Sequence, residues 1–141
     1  MSEASPAAKL RVVQAEPQKV LVIDDDETMR ALLRLHLAAG GYQVLEAADA
    51  VDGGYLVLGK SPGLVICDVE MPYLDGYEFA MALKSDPKTC HIPVVFLTSD
   101  DDAAGKAHKA GAVAHLKKPI TADRLLKVVR RFISQISVAP N

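Results

Sequence analysis

Several things are scarce in this chain. It holds two cysteines, Cys67 and Cys90, in 141 residues, which excludes a disulfide framework. Cys67 lies in an apolar run that reads as a buried strand, so a reduced thiol and a cytoplasmic setting are expected. Neither sign of charge dominates: 16 Lys and Arg stand against 18 Asp and Glu, a net charge of -2. No global field therefore favours nucleic acid or an acidic membrane. No apolar stretch approaches the length of a bilayer span. Met1 to Lys19 is mostly Ala, Pro, Gln and charge, without the apolar core of a secretion signal, which again favours the cytoplasm. Internal repeats and low-complexity segments are missing too. What remains is one ordinary globular domain with enough chain for a real core.

The pattern alternates between two periods. Residues 1–18 hold two prolines and little periodicity and read as a flexible tail, although Leu10 to Val13 could dock locally. Lys19 to Ile23 is a continuous apolar and β-branched run, as a central parallel strand requires. Thr28 to Ala39 is a helix with Met29, Leu32, Leu33 and His36 on one face, stopped by Gly40-Gly41. Tyr42 to Ala47 is a strand, Ala50 to Leu58 a helix, and Leu64 to Cys67 a strand after Pro62-Gly63. Gly76 to Lys84 is a helix with Tyr77, Ala80, Met81 and Lys84 along one side. Pro93 to Leu97 is a strand, Ala103 to Ala110 a helix closed by Gly111, and Val113 to Lys117 a weak edge strand. Thr121 caps a last helix whose stripe is Leu125, Val128, Val129, Phe132, Ile133 and Ile136. Five strands alternating with five helices predict an α/β, doubly wound parallel sheet with helices on both faces. Residues 19–136 form that domain, and 137–141 form a C-terminal tail or the start of a linker.

The strand ends carry the chemistry. Asp24-Asp25-Asp26 follows the first strand, Asp68 the third, Thr98-Ser99 the fourth and Lys118-Pro119 the fifth. In an open α/β sheet that rim is where ligands bind. If the first and third strands are neighbours, Asp24, Asp25 and Asp68 converge and repel one another. A hard cation with oxygen ligands relieves that repulsion, and Mg2+ characteristically combines one or two carboxylates with waters and a phosphate. Capping of the first helix by Asp25 or Asp26 is the plainer reading, and it is compatible with a metal. Asp68 can be a ligand or a nucleophile, since carboxylates form aspartyl phosphates. Lys118 offers a compact positive charge and Thr98 a hydroxyl donor to the same phosphoryl oxygens.

These residues carry a family resemblance. Val20 to Glu27, Asp68 with Met71-Pro72-Tyr73-Leu74-Asp75-Gly76, Ile92 to Ser99, and Lys118-Pro119 resemble the receiver domain of bacterial two-component response regulators. The likeness runs over residues 19–136 with order and spacing intact. It implies the flavodoxin-like strand order 2-1-3-4-5 and phosphorelay signalling rather than enzyme turnover. It makes Asp68 the phosphoacceptor, and it makes Asp25 and Asp68 direct Mg2+ ligands, with Asp24 acting through water and Glu70 lending its backbone carbonyl. Thr98 and Lys118 would bind the phosphoryl group, and the bond before Pro119 would be cis. The position that in this family carries a switching Tyr or Phe is His115 here. Implied partners are a histidine kinase or phosphotransfer protein and a downstream target read through the fourth helix, fifth strand and fifth helix. Neither nucleic acid nor membrane is expected to bind this chain directly.

Other readings fit less well. A phosphohydrolase with an aspartyl nucleophile would have Glu70 at the right spacing for its acid, but it usually carries a capping insertion that 141 residues do not hold. A flavodoxin-like cofactor binder needs a phosphate loop rich in Ser, Thr and Gly where this chain has three aspartates. Lys127, Arg130 and Arg131 read as a solvated face, His36 as a packed or boundary residue, and Cys67 as packing.

Overall fold

The computed structural model describes residues 17–71, 75–101 and 103–133. Five strands and five helices alternate: β1 (Lys19–Ile23), α1 (Glu27–Ala39), β2 (Gln43–Ala47), α2 (Ala50–Lys60), β3 (Leu64–Asp68), α3 (Gly76–Ser85), β4 (Val94–Thr98), α4 (Ala103–Lys109), β5 (Ala114–Lys117) and α5 (Ala122–Phe132). The strands form one parallel sheet in the order β2-β1-β3-β4-β5. Most of both terminal tails, Leu10 to Val13, Ile136 and Pro72-Tyr73-Leu74 lie outside the described residues.

The apolar runs of β1, β3 and β4 are continuous because both faces of the sheet are covered. Alternate residues serve different cores. Leu21, Ile23, Val65, Cys67, Val94 and Phe96 pack with Val57 of α2, Phe79, Ala80 and Leu83 of α3, and Ala107 of α4. Val20, Val22, Leu64, Ile66, Val95 and Leu97 pack with Leu33 and Leu37 of α1 and with Leu125, Val129 and Ile133 around α5. A one-residue slip of any central strand would exchange these two sets, so register is strongly specified.

Each helix begins at the strands' C-terminal rim, and most carry a side-chain cap there. Asp26 accepts from the Thr28 N–H at 2.9 Å, Asp49 from Asp52 at 2.8 Å, Asp75 from Glu78 at 2.8 Å and Thr121 from Arg124 at 3.3 Å. Such caps satisfy donors that the first helical turn leaves unpaired. Gly41, with φ 94°, makes the left-handed turn between α1 and β2.

Two helix faces differ from the sequence expectation. On α1 the buried residues are Leu33 and Leu37, with Leu32 exposed and His36 half-buried. On α3 the buried residues are Gly76, Phe79, Ala80 and Leu83, while Met81 is exposed. Both helices carry apolar residues on more than one side, so periodicity alone does not choose the face; the sheet does.

Candidate functional site

The sheet order brings the four chemical strand ends together. Asp24 follows β1, Asp68 ends β3, Thr98 ends β4 and Lys118 follows β5, and β1, β3, β4 and β5 are successive neighbours. Asp24, Asp68 and Thr98 are buried, Lys118 is half-buried, and Asp25 is exposed. One oxygen each from Asp24, Asp25 and Asp68 lie within 4.8 Å of one another. The Lys118 Nζ donates to Asp68 Oδ2 at 3.3 Å and stands 4.0 Å from Asp24 Oδ2.

Backbone donors hold the carboxylates in place. The Asp26 N–H donates to Asp24 Oδ1 at 2.9 Å, and the Glu70 N–H donates to Asp68 Oδ1 at 3.0 Å. Asp24 Oδ2 is buried without a hydrogen-bond partner. Burial pushes the Asp24 carboxyl up to about 6; the neighbouring Asp68 and Asp25 charges push the same way, while the Asp26 N–H and Lys118 pull against them. An orphaned buried oxygen facing two further carboxylates fits a small divalent cation with oxygen ligands.

The rest of the cleft is shaped by its neighbours. Thr98 Oγ1 accepts from the Asp100 N–H at 2.9 Å, and the Thr98 carbonyl accepts from the Lys118 N–H at 2.8 Å. The Lys118-Pro119 bond is cis. Glu70, Ser99, Asp100 and His115 are exposed. Burial raises the Cys67 thiol far above its ordinary value, so it stays protonated packing. Tyr77 meets Phe96 edge to face, with ring centroids 5.0 Å apart.

Two residues matter here in roles that were not assigned from the sequence: Arg30, which was not named, and Gly76, which was named only within a motif and as a helix start. The Arg30 Nη1 donates to the Asp24 carbonyl at 2.7 Å and so braces the loop after β1. Gly76 begins α3 so close to β3 that a Cβ would lie 2.5 Å from the Asp68 carbonyl oxygen and 2.8 Å from Val69 Cα. An acidic strand end followed by a basic residue one turn into the next helix, and an Asp-Gly ahead of an apolar helix, are the signals that point to them.

With this geometry in view, the comparisons with known proteins are specific. The response regulator receiver domain profile matches residues 20–130. The chain belongs to the response regulator receiver family. It is 32% identical over 118 residues to the protein PilH of Pseudomonas aeruginosa, covering 82% of this chain and 98% of that one. It is 39% identical over 112 residues to the chemotaxis protein CheV3 of Helicobacter pylori, covering 71% of this chain but only 36% of CheV3. Among solved structures, the chemotaxis response regulator CheY4 of Vibrio cholerae superposes with a TM-score of 0.79 at 28% identity, over 84% of this chain and all of that one. This receiver domain therefore acts in phosphorelay signalling. Among the described residues no helix is long and apolar enough to cross a membrane.

Proposed function

We propose that this receiver is switched by Mg2+-dependent phosphorylation of Asp68. The observation that carries the reading is one carboxylate, Asp68, set between an acidic pair and an ammonium: Asp24 and Asp25 within 4.8 Å, and Lys118 at 3.3 Å. Asp24, Asp25 and Asp68 would hold Mg2+, together with the Glu70 backbone carbonyl. When bound, the ion neutralises charge on phosphoryl oxygens and relieves the repulsion among the carboxylates.

This chain's residues do the rest. An Asp68 oxygen attacks the phosphorus of a phosphorylated histidine on a kinase or phosphotransfer protein. The P–N bond breaks, and its electron pair leaves with the imidazole. Oδ2 is the oxygen beside Lys118, so the ammonium is placed to pair with the phosphoryl group that forms there. Thr98 accepts its hydrogen bond from Asp100, which leaves the hydroxyl hydrogen to donate to the same group. That donation draws Thr98 inward and biases a two-state equilibrium. The exposed His115 on β5 takes the place of an aromatic partner in that switch. Pro119 follows Lys118 through a cis bond.

The switching unit spans residues 19–136, and α4, β5 and α5 present the readout surface to a downstream target or output domain. Its chemistry is confined to its own phosphorylation and dephosphorylation. The chain works in the cytoplasm, in keeping with two free cysteines, and touches neither nucleic acid nor membrane itself.

The test is exposure to acetyl phosphate or beryllofluoride, with and without Mg2+, for wild type and Asp68→Asn, read by intact mass and NMR. The expected result is a Mg2+-dependent adduct that the mutant lacks. No adduct in the wild type, or an equal one in Asp68→Asn, overturns the assignment.

A further inference from the structure

The backbone at Asp24 is gripped at both ends from β2. The Asp24 N–H donates to the Ala47 carbonyl at 3.1 Å. The Asp24 carbonyl accepts from Arg30 Nη1 at 2.7 Å, and Arg30 Nε stands 3.7 Å from Oε1 of Glu46, the residue before Ala47. Glu46 pairs with Val22 in the register of β1 and β2, and Val22 packs on the α1 side of the sheet. Paired neighbours across a sheet share a face, so Glu46 also leaves the sheet toward α1. Its other oxygen, Oε2, accepts from Arg34 Nη1 at 2.7 Å, one helical turn further along α1. One carboxylate thus sits between two guanidinium groups, of which Arg30 also holds the loop after β1.

That grip bears on the acidic cluster. The Asp24 carbonyl belongs to the peptide that leads into Asp25. A peptide group is planar, so holding its oxygen fixes the direction in which the chain enters Asp25. Asp25 is exposed and has little packing to orient it, yet its carboxylate must lie with those of Asp24 and Asp68 within 4.8 Å. Arg30 is suited to the task. Its side chain is only 17% exposed, and a planar guanidinium holds Nη1 and Nε in fixed relation, so one edge can meet a carbonyl while the other faces a carboxylate. Groups that orient metal ligands without touching the metal are a regular part of metal sites.

We infer that Glu46 is a positioning residue of the Mg2+ site: it holds the Arg30 guanidinium, and Arg30 holds the Asp24 carbonyl, so that Asp24 and Asp25 converge with Asp68. The inference rests on the reading of this cluster as the Mg2+ site. Charge and position predict opposite signs for Arg30. A cation near three carboxylates opposes a second cation there, so by charge alone its removal should tighten Mg2+ binding. By position its removal should weaken it. Glu46 acts through Arg30, so its effect should vanish when Arg30 is absent.

The test is titration of the full chain with Mg2+ by NMR, following the amide signals of Asp25, Asp26 and Glu70. Arg30→Met and Glu46→Gln keep most of the bulk of each side chain, so the folded spectrum should persist. Each should weaken Mg2+ binding about threefold to tenfold, at or below the low end of what losing an orienting partner of a metal ligand costs. The double variant Arg30→Met/Glu46→Gln should bind no more weakly than Arg30→Met alone. Arg34→Met removes the more exposed partner of the same carboxylate and should stay within about twofold of wild type. Unchanged or tighter binding in Arg30→Met, unchanged binding in Glu46→Gln, or additive losses in the double variant overturn the inference and leave the Mg2+ reading standing. No response to Mg2+ in the wild type overturns that reading, and the inference with it.

Discussion

Asp24→Asn should make the metal-free protein more stable, although it removes a residue from the centre of the site. Asp24 is buried, its Oδ2 has no hydrogen-bond partner, and Asp68 and Asp25 lie close by. Its carboxyl is raised from 3.8 to about 6, chiefly by burial. At about 1.4 kcal/mol per pKa unit, that difference amounts to roughly 3 kcal/mol as an upper bound on the cost of keeping the charge. The sign follows from linkage: the folded state binds the proton more tightly than the unfolded chain does. The associated stability is full below pH 3.8 and is lost as the pH rises through about 6. Between about pH 5 and about pH 7.5, wild type should lose about 1.4 kcal/mol through Asp24, and the Asn variant should lose none of that share. The Asn carbonyl can keep the 2.9 Å bond from the Asp26 N–H, and its amide can donate to Asp68 or Asp25. The assay is urea unfolding in EDTA at both pH values for both proteins. A gain of about 1–3 kcal/mol for Asp24→Asn at the higher pH, shrinking at the lower, is expected. Mg2+ should then stabilise wild type more than the variant, closing the gap by mass action. If the variant in EDTA is no more stable than wild type at the higher pH, the buried-charge account of this cleft is wrong.

Three further outcomes are expected. Gly76→Ala places a Cβ against backbone atoms that cannot step aside, so it should cost about 1–3 kcal/mol in urea unfolding and displace the amide signals of Asp68 and Val69. Ser61, the C-cap of α2, sits in the left-handed region at φ 49°; Ser61→Gly should raise the urea midpoint by the equivalent of up to about 1 kcal/mol, and a lower midpoint would contradict this. Thr121→Ala removes the cap of α5 and should cost about 1 kcal/mol, visible as faster amide exchange in the first turn of that helix.

Much of this was legible without coordinates. The continuous runs Val20 to Ile23, Leu64 to Cys67 and Val94 to Leu97 announce strands covered on both faces, because only such strands need no polar side. Most element bounds agree to within about two residues, as expected when caps such as Asp26 and Thr121 mark the helix starts; the last helix is the exception, ending at Phe132 with Ile133 as its C-cap where the stripe was expected to run to Ile136. The strand order 2-1-3-4-5 rested on family likeness and not on periodicity. The inward faces of α1 and α3 were right at Met29, Leu33, Tyr77 and Ala80 and wrong at Leu32 and Met81, for a different reason. Leu32 and Met81 satisfy a helical stripe as well as Leu37 and Leu83 do, and only packing against the sheet separates them.

The site divides in the same way. The sequence by itself determined which residue types stand at the strand ends: Asp24, Asp25, Asp68, Thr98 and Lys118. A strand's end is marked by where its apolar run stops, and that is a local property. Only the tertiary structure decided that these ends converge, because convergence depends on β1 pairing with β3 and β4 with β5 across long stretches of chain. It also decided that Asp24 keeps a bare, buried oxygen and that α3 presses on β3 closely enough to require glycine at position 76. Burial and close approach are properties of packed pairs, and no single stretch of sequence contains both partners.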